Sequence, residues 1–114
     1  MAEIFNIKKA LTLVGNDTEL LKELMTAFVN DKGLELSKLV ALEASQDKEE
    51  AAKYVHYYKG AGRQLCAEVL AEEGQKLEDV LRKRSEGNIE KLNNSFLASY
   101  KEAVSEIKDA LELL

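Results

Sequence analysis

From Ile89 to Leu111, apolar residues recur every three or four positions: Ile89, Leu92, Phe96, Tyr100, Ala103, Ile107 and Leu111. That spacing lines them along one side of a single long α-helix and leaves the other side polar. A stripe of this length is buried only against other helices of the same kind, and the rest of the chain supplies them. Leu20, Leu21, Leu24 and Phe28 form a second stripe. Leu36, Leu39 and Val40 form a third, in a helix read from about residue 34 to 44. A fourth helix runs from about 48 to 65, and a fifth carries Leu70, Leu77, Val80 and Leu81. A short helix precedes them all, from about residue 4 to 14. Nothing in the 114 residues resists this pattern: there is no proline, and Leu, Ala, Glu and Lys dominate.

The breaks are short. Gly15-Asn16-Asp17, Asp31-Lys32-Gly33, Ser45-Gln46-Asp47 and Ser85-Glu86-Gly87-Asn88 separate the helices. Asn16 with Glu19, and Asp47 with Glu50, have capping-box spacing. Short connections between amphipathic helices favour neighbours that run in opposite directions. The predicted architecture is all-α: an antiparallel up-down four-helix bundle with a short N-terminal helical extension, one domain over residues 1–114.

Composition then excludes several functions. A net charge of -5, from 16 basic and 21 acidic residues, argues against non-specific nucleic-acid binding. No long apolar run suggests a membrane span, and MAEIFNIKK has no signal-peptide pattern. A lone cysteine, Cys66, rules out an internal disulfide framework and fits a reducing compartment. The expectation is a cytoplasmic protein.

The one histidine, His56, lies in the stretch HYYKGAGRQL with two glycines, each an unfavourable residue inside a helix. On a helical wheel, Ala51, Val55, Tyr58, Gly62 and Leu65 define the core face, and His56 points away from it. Its wheel neighbours are Ala52, Lys59, Gly60 and Arg63, flanked by Glu49 and Lys53. Gly62 then serves close packing of helices. Gly60 lies beside the imidazole on the exposed face, where a missing side chain lets another molecule approach.

This constellation resembles the histidine-containing phosphotransfer (HPt) domain of multistep phosphorelays. The resemblance rests on HYYKGAG at 56–62 and KLED at 76–79, supported by IFNIKKAL, GNDTELLKELMTAFV and SQDKEEAAKYVHYYKG. Departures from the family pattern are Val55, Tyr58, and Cys66 in place of a turn glycine; they touch packing and turn geometry more than chemistry. The resemblance implies a phosphocarrier that accepts a phosphoryl group on His56 from a receiver-domain aspartyl phosphate and passes it to another receiver aspartate. It implies a sensor histidine kinase (hybrid or separate) and response-regulator receiver domains as partners, no cofactor of its own, and Mg²⁺ supplied by the receiver.

Imidazole suits such a relay because a neutral ring nitrogen is nucleophilic near neutral pH, provided the other nitrogen keeps its proton. If the fourth and fifth helices form a hairpin turning near residue 67, Glu78 faces His56. Glu78 and Gln75 are the expected groups that orient the ring, as the resemblance also implies. Lys59, one turn after His56, is expected to offset phosphoryl charge. Gly60, Arg63, Lys53 and Gln64 are the expected docking surface. No metal site is expected, since Lys53 stands three residues before the lone histidine where a Glu-x-x-His motif needs a carboxylate. KGAGRQ lacks a full glycine-rich nucleotide loop. On the resemblance the chain is read as a carrier, expected to be monomeric, and not as an enzyme in its own right. Two alternatives stay open: an interaction module that docks a receiver or other partner without transferring phosphate, and a structural bundle with an incidental histidine.

Overall fold

The computed structural model describes residues 2–46 and 48–114. The described residues hold six α-helices and no strand: α1 (Ile7–Leu13), α2 (Thr18–Asn30), α3 (Leu36–Glu43), α4 (Glu49–Gln64), α5 (Glu68–Leu81) and α6 (Ile89–Glu112). The chain is all-α, and among the described residues no helix is long and apolar enough to cross a membrane.

Side chains close the helix starts where N–H groups would otherwise lack partners. Asn6, Asp17 and Asn88 accept from the N–H of Lys9, Leu20 and Lys91, each at 3.0 Å. The cap of α2 is thus Asp17, one residue after the expected Asn16. Asn16 instead takes a positive φ of 63° in the turn that closes α1. The expected Asp47–Glu50 box lies outside the described residues, because it depends on Asp47. Two helices end on a left-handed residue that is not glycine. Cys66 (φ 58°) follows α4, with the Ala67 N–H reaching Gly62 O at 2.8 Å. Lys83 (φ 62°) follows α5, with the Arg84 N–H reaching Asp79 O at 2.7 Å. These six-to-one bonds satisfy carbonyls that the helix leaves open.

The α6 stripe is the centre of the core. Phe96, Ala103 and Ile107 are fully buried, among Leu21, Met25, Leu39, Val55, Leu70 and Leu77 from α2 to α5. Burying each large side chain contributes roughly 1.5–3 kcal/mol. Aromatic contacts join the elements: Tyr100 of α6 meets Phe28 of α2 at 5.7 Å and Tyr58 of α4 at 5.3 Å between ring centroids. α3 is tied to α4 by the Glu35 N–H, which donates to the Tyr54 hydroxyl at 2.9 Å. Val40, expected inside, is 49% exposed; Leu34 and Leu39 supply the buried contacts of this segment instead. α3 is short, and its apolar residues outnumber the positions that face the core.

Candidate functional site

α4 is buried over a wider arc than its apolar stripe suggests. Ala51, Val55, Tyr58, Gly62 and Leu65 face the core, but Ala52 and Lys59 are also buried. The cause is α5, which packs beside the histidine. Gly74 marks a close approach, where an added Cβ would lie 2.9 Å from Lys59 Cβ and 2.9 Å from Phe96 Cε1. Gly62 does similar work one turn on, facing Leu70 Cδ2 at 3.0 Å from a built Cβ.

The His56 side chain remains 60% exposed. Its Nδ1 lies 3.2 and 3.3 Å from the two carboxylate oxygens of Glu78, a side chain only 4% exposed. Glu78 is held from two further directions. The Lys59 ammonium meets Oε1 at 2.7 Å, and the Arg82 Nε–H donates to Oε2 at 2.8 Å. Burial pushes the Glu78 carboxyl up, yet hydrogen bonds from Lys59, Arg82 and His56 outweigh it and hold its pKa at about 2. An ionised Glu78 accepts only, so neutral His56 must carry its proton on Nδ1. Nε2 then holds the lone pair and has no hydrogen-bond partner among the described residues.

Two sequence expectations change here. Gln75 does not orient the ring. Its carbonyl oxygen accepts from Lys59 at 3.0 Å and Arg63 at 3.1 Å, and its amide donates to Asp79 at 2.8 Å. It stands one turn before Glu78 on α5 and thus reaches residues one and two turns after His56 on α4. Lys59 is not a solvent-facing cation: it is 4% exposed and engaged by Glu78 and Gln75. The wheel gives its direction correctly but not the helix that covers it.

The remaining expected residues surround the imidazole at the surface. Gly60 is open: beyond the neighbouring backbone of α4, nothing among the described residues lies within 4 Å of where its Cβ would stand. Gly60, Arg63 and Gln64 line a groove of about 650 Å³ with Leu13, Val14, Leu20 and Leu24. Leu13 and Leu20 are 61% and 40% exposed, so the groove offers apolar surface beside the histidine. Lys53 is exposed and pairs with Glu50 at 3.5 Å. Sequence reasoning missed Arg82 and Gly74. Arg82 stands four residues after Glu78, the spacing at which a helix pairs opposite charges, and bridges on to Glu49 at 2.8 Å. Gly74 lies four residues after Leu70 and three before Leu77, on the apolar stripe of α5. Among the described residues no group of three or more His, Cys, Asp or Glu side chains is placed to hold a metal ion.

Comparison with protein-family models, curated proteins and solved structures found no match to this chain.

Proposed function

We propose that this chain is a histidine phosphocarrier of the HPt kind, and that α2, α4, α5 and α6 form an antiparallel four-helix bundle in a single domain. The facing pairs His56–Glu78, Lys59–Gly74 and Gly62–Leu70 support the antiparallel reading, because residue numbers rise on α4 as they fall on α5. The observation that carries the functional reading is the exposed His56 ring whose Nδ1 is tied to a buried, ionised Glu78.

In this reading the Nε2 lone pair attacks the phosphorus of a receiver aspartyl phosphate. The N–P bond forms as the bond from phosphorus to the aspartyl oxygen breaks, and its electron pair leaves with the carboxylate. Nδ1 keeps its proton throughout, and the positive charge that develops on the ring is met by Glu78. Transfer to a second receiver aspartate reverses these steps. Arg63, beside the open Gly60, and Lys53 are the exposed cations that offset phosphoryl charge and favour an acidic partner. Lys59 acts from beneath, by fixing Glu78. The open backbone at Gly60 and the apolar groove next to it suit the approach of a receiver domain, which brings its own Mg²⁺. A sensor histidine kinase feeding that receiver, and a cytoplasmic monomer, complete the reading.

The test is incubation with a receiver domain carrying an aspartyl phosphate, followed by intact-mass measurement. One acid-labile phosphoryl group on the wild type, and none on His56→Gln, is expected. Labelling of the Gln variant would remove His56 from the role, and absence of labelling on the wild type would favour a docking module.

A further inference from the structure

Away from the histidine, α3 and α6 meet through two buried polar side chains, Glu43 at 8% and Asn93 at 3% exposure. The Asn93 amide donates to Glu43 Oε1 at 2.8 Å. The second atom of each group, Glu43 Oε2 and Asn93 Oδ1, is buried with no partner among the described residues. Both orphans are acceptors while Glu43 is ionised, and buried polar groups without partners are strongly disfavoured. A proton on Oε2 turns that atom into a donor, and carboxyl and carboxamide are complementary in a cyclic pair of hydrogen bonds.

We propose that Glu43 and Asn93 form a proton-operated latch between α3 and α6, closed when Glu43 is protonated and donates from Oε2 to Asn93 Oδ1. The surroundings fit a neutral carboxyl. α6 presents the uncharged Asn93. Lys48, before α4, spends its ammonium on the backbone carbonyl of Glu43 at 2.8 Å, and its charge opposes the latch only in part. Lys38, on α3 itself, sits over the Tyr54 ring of α4. Burial pushes the Glu43 carboxyl above its ordinary 4.5, against the opposing pull of Asn93 and Lys48.

A raised folded pKa fixes the sign. The latch contributes fully below the ordinary glutamate value of 4.5 and is lost as pH rises through the folded value. Between the two, the folding equilibrium weakens by up to about ten-fold per pH unit. The conformational consequence is local: α3 loosens from α6 at the alkaline end of that window.

The test combines carbon NMR of the Glu43 carboxyl in the wild-type chain with urea unfolding of wild type and Glu43→Gln at about pH 5 and about pH 8. The Gln amide mimics the protonated carboxyl, offering a donor to Asn93 Oδ1 without charge. A Glu43 titration above 4.5 is expected. The Gln variant should fold more favourably than wild type at the higher pH, with the advantage shrinking at the lower. Titration of Glu43 at or below 4.5, or a Gln variant no more stable than wild type at the higher pH, overturns the latch. His56 takes no part in either measurement, so the outcome is independent of the phosphocarrier reading.

Discussion

The ammonium of Lys59 lies 2.7 Å from Oε1 of Glu78, and both side chains are buried beneath the exposed imidazole of His56. A charged pair at this depth is costly to break, because the partner left behind has no water to turn to. Replacing Lys59 with Met should therefore destabilise the fold by about 3 kcal/mol, the lower end for a broken buried pair because Arg82 still holds Glu78. Lys53→Met, at the surface, should stay within about 0.5 kcal/mol of wild type. Urea unfolding of both variants makes the comparison, and equal, small losses would return Lys59 to the solvent-facing role that its sequence position suggests.

The same carboxylate sets an acid limit. The Glu78 pKa of about 2 is depressed from 4.5, so its contribution is present above 4.5 and lost as pH falls through about 2. The side chain is 4% exposed, and the shift corresponds to on the order of 3 kcal/mol. Stability of the wild type should fall steeply across this window, whereas Glu78→Gln should be less stable at neutral pH and nearly flat in acid. Parallel pH profiles for the two would exclude Glu78 as the buried anion.

Two glycines should respond oppositely to alanine. Gly60→Ala meets open space and gains helix propensity, for a stabilisation of up to ~1 kcal/mol. Gly74→Ala gains the same propensity but forces a methyl group to 2.9 Å from Lys59 Cβ and Phe96 Cε1, for a net loss of about 1–2 kcal/mol. Thermal melts of the pair decide it, since a stabilising Gly74→Ala would mean that α4 and α5 do not approach as described.

Much of this arrangement was legible in the chain itself. The stripes of α2 and α6 mark those helices and most of their buried faces, because an apolar residue every three or four positions has one good solution; Leu20 is the exception, 40% exposed. Helix geometry places Gly60 in the open, and a turn near residue 67 places Glu78 opposite His56. Burial imposed by a neighbouring helix was not legible. The wheel of α4 cannot reveal that α5 covers Lys59, and the midpoint of a hairpin pairs positions without saying which oxygen meets which nitrogen. Asn16 misled because Asn is equally at home as a cap and in the left-handed conformation it adopts here. Val40 misled because periodicity marks which residues are apolar and not how many a short helix can bury.

The turn between α4 and α5 carries its own expectation. Cys66 holds a φ of 58°, a conformation that costs a side chain roughly 1 kcal/mol and glycine almost nothing. Cys66→Gly should raise thermal stability by about 0.5–1 kcal/mol despite the greater freedom of glycine in the unfolded chain. A loss of stability would show that the thiol's packing outweighs the strain.

The central claim concerns one nitrogen atom: Glu78 holds Nδ1, so chemistry belongs to Nε2. The most direct measurement is nitrogen-15 and phosphorus-31 NMR of the chain after phosphorylation by a receiver domain. A phosphorus–nitrogen coupling to Nε2 of His56, with the Nδ1 proton retained, is the result this account requires. Coupling to Nδ1, or a phosphoryl group on any other residue, would contradict it.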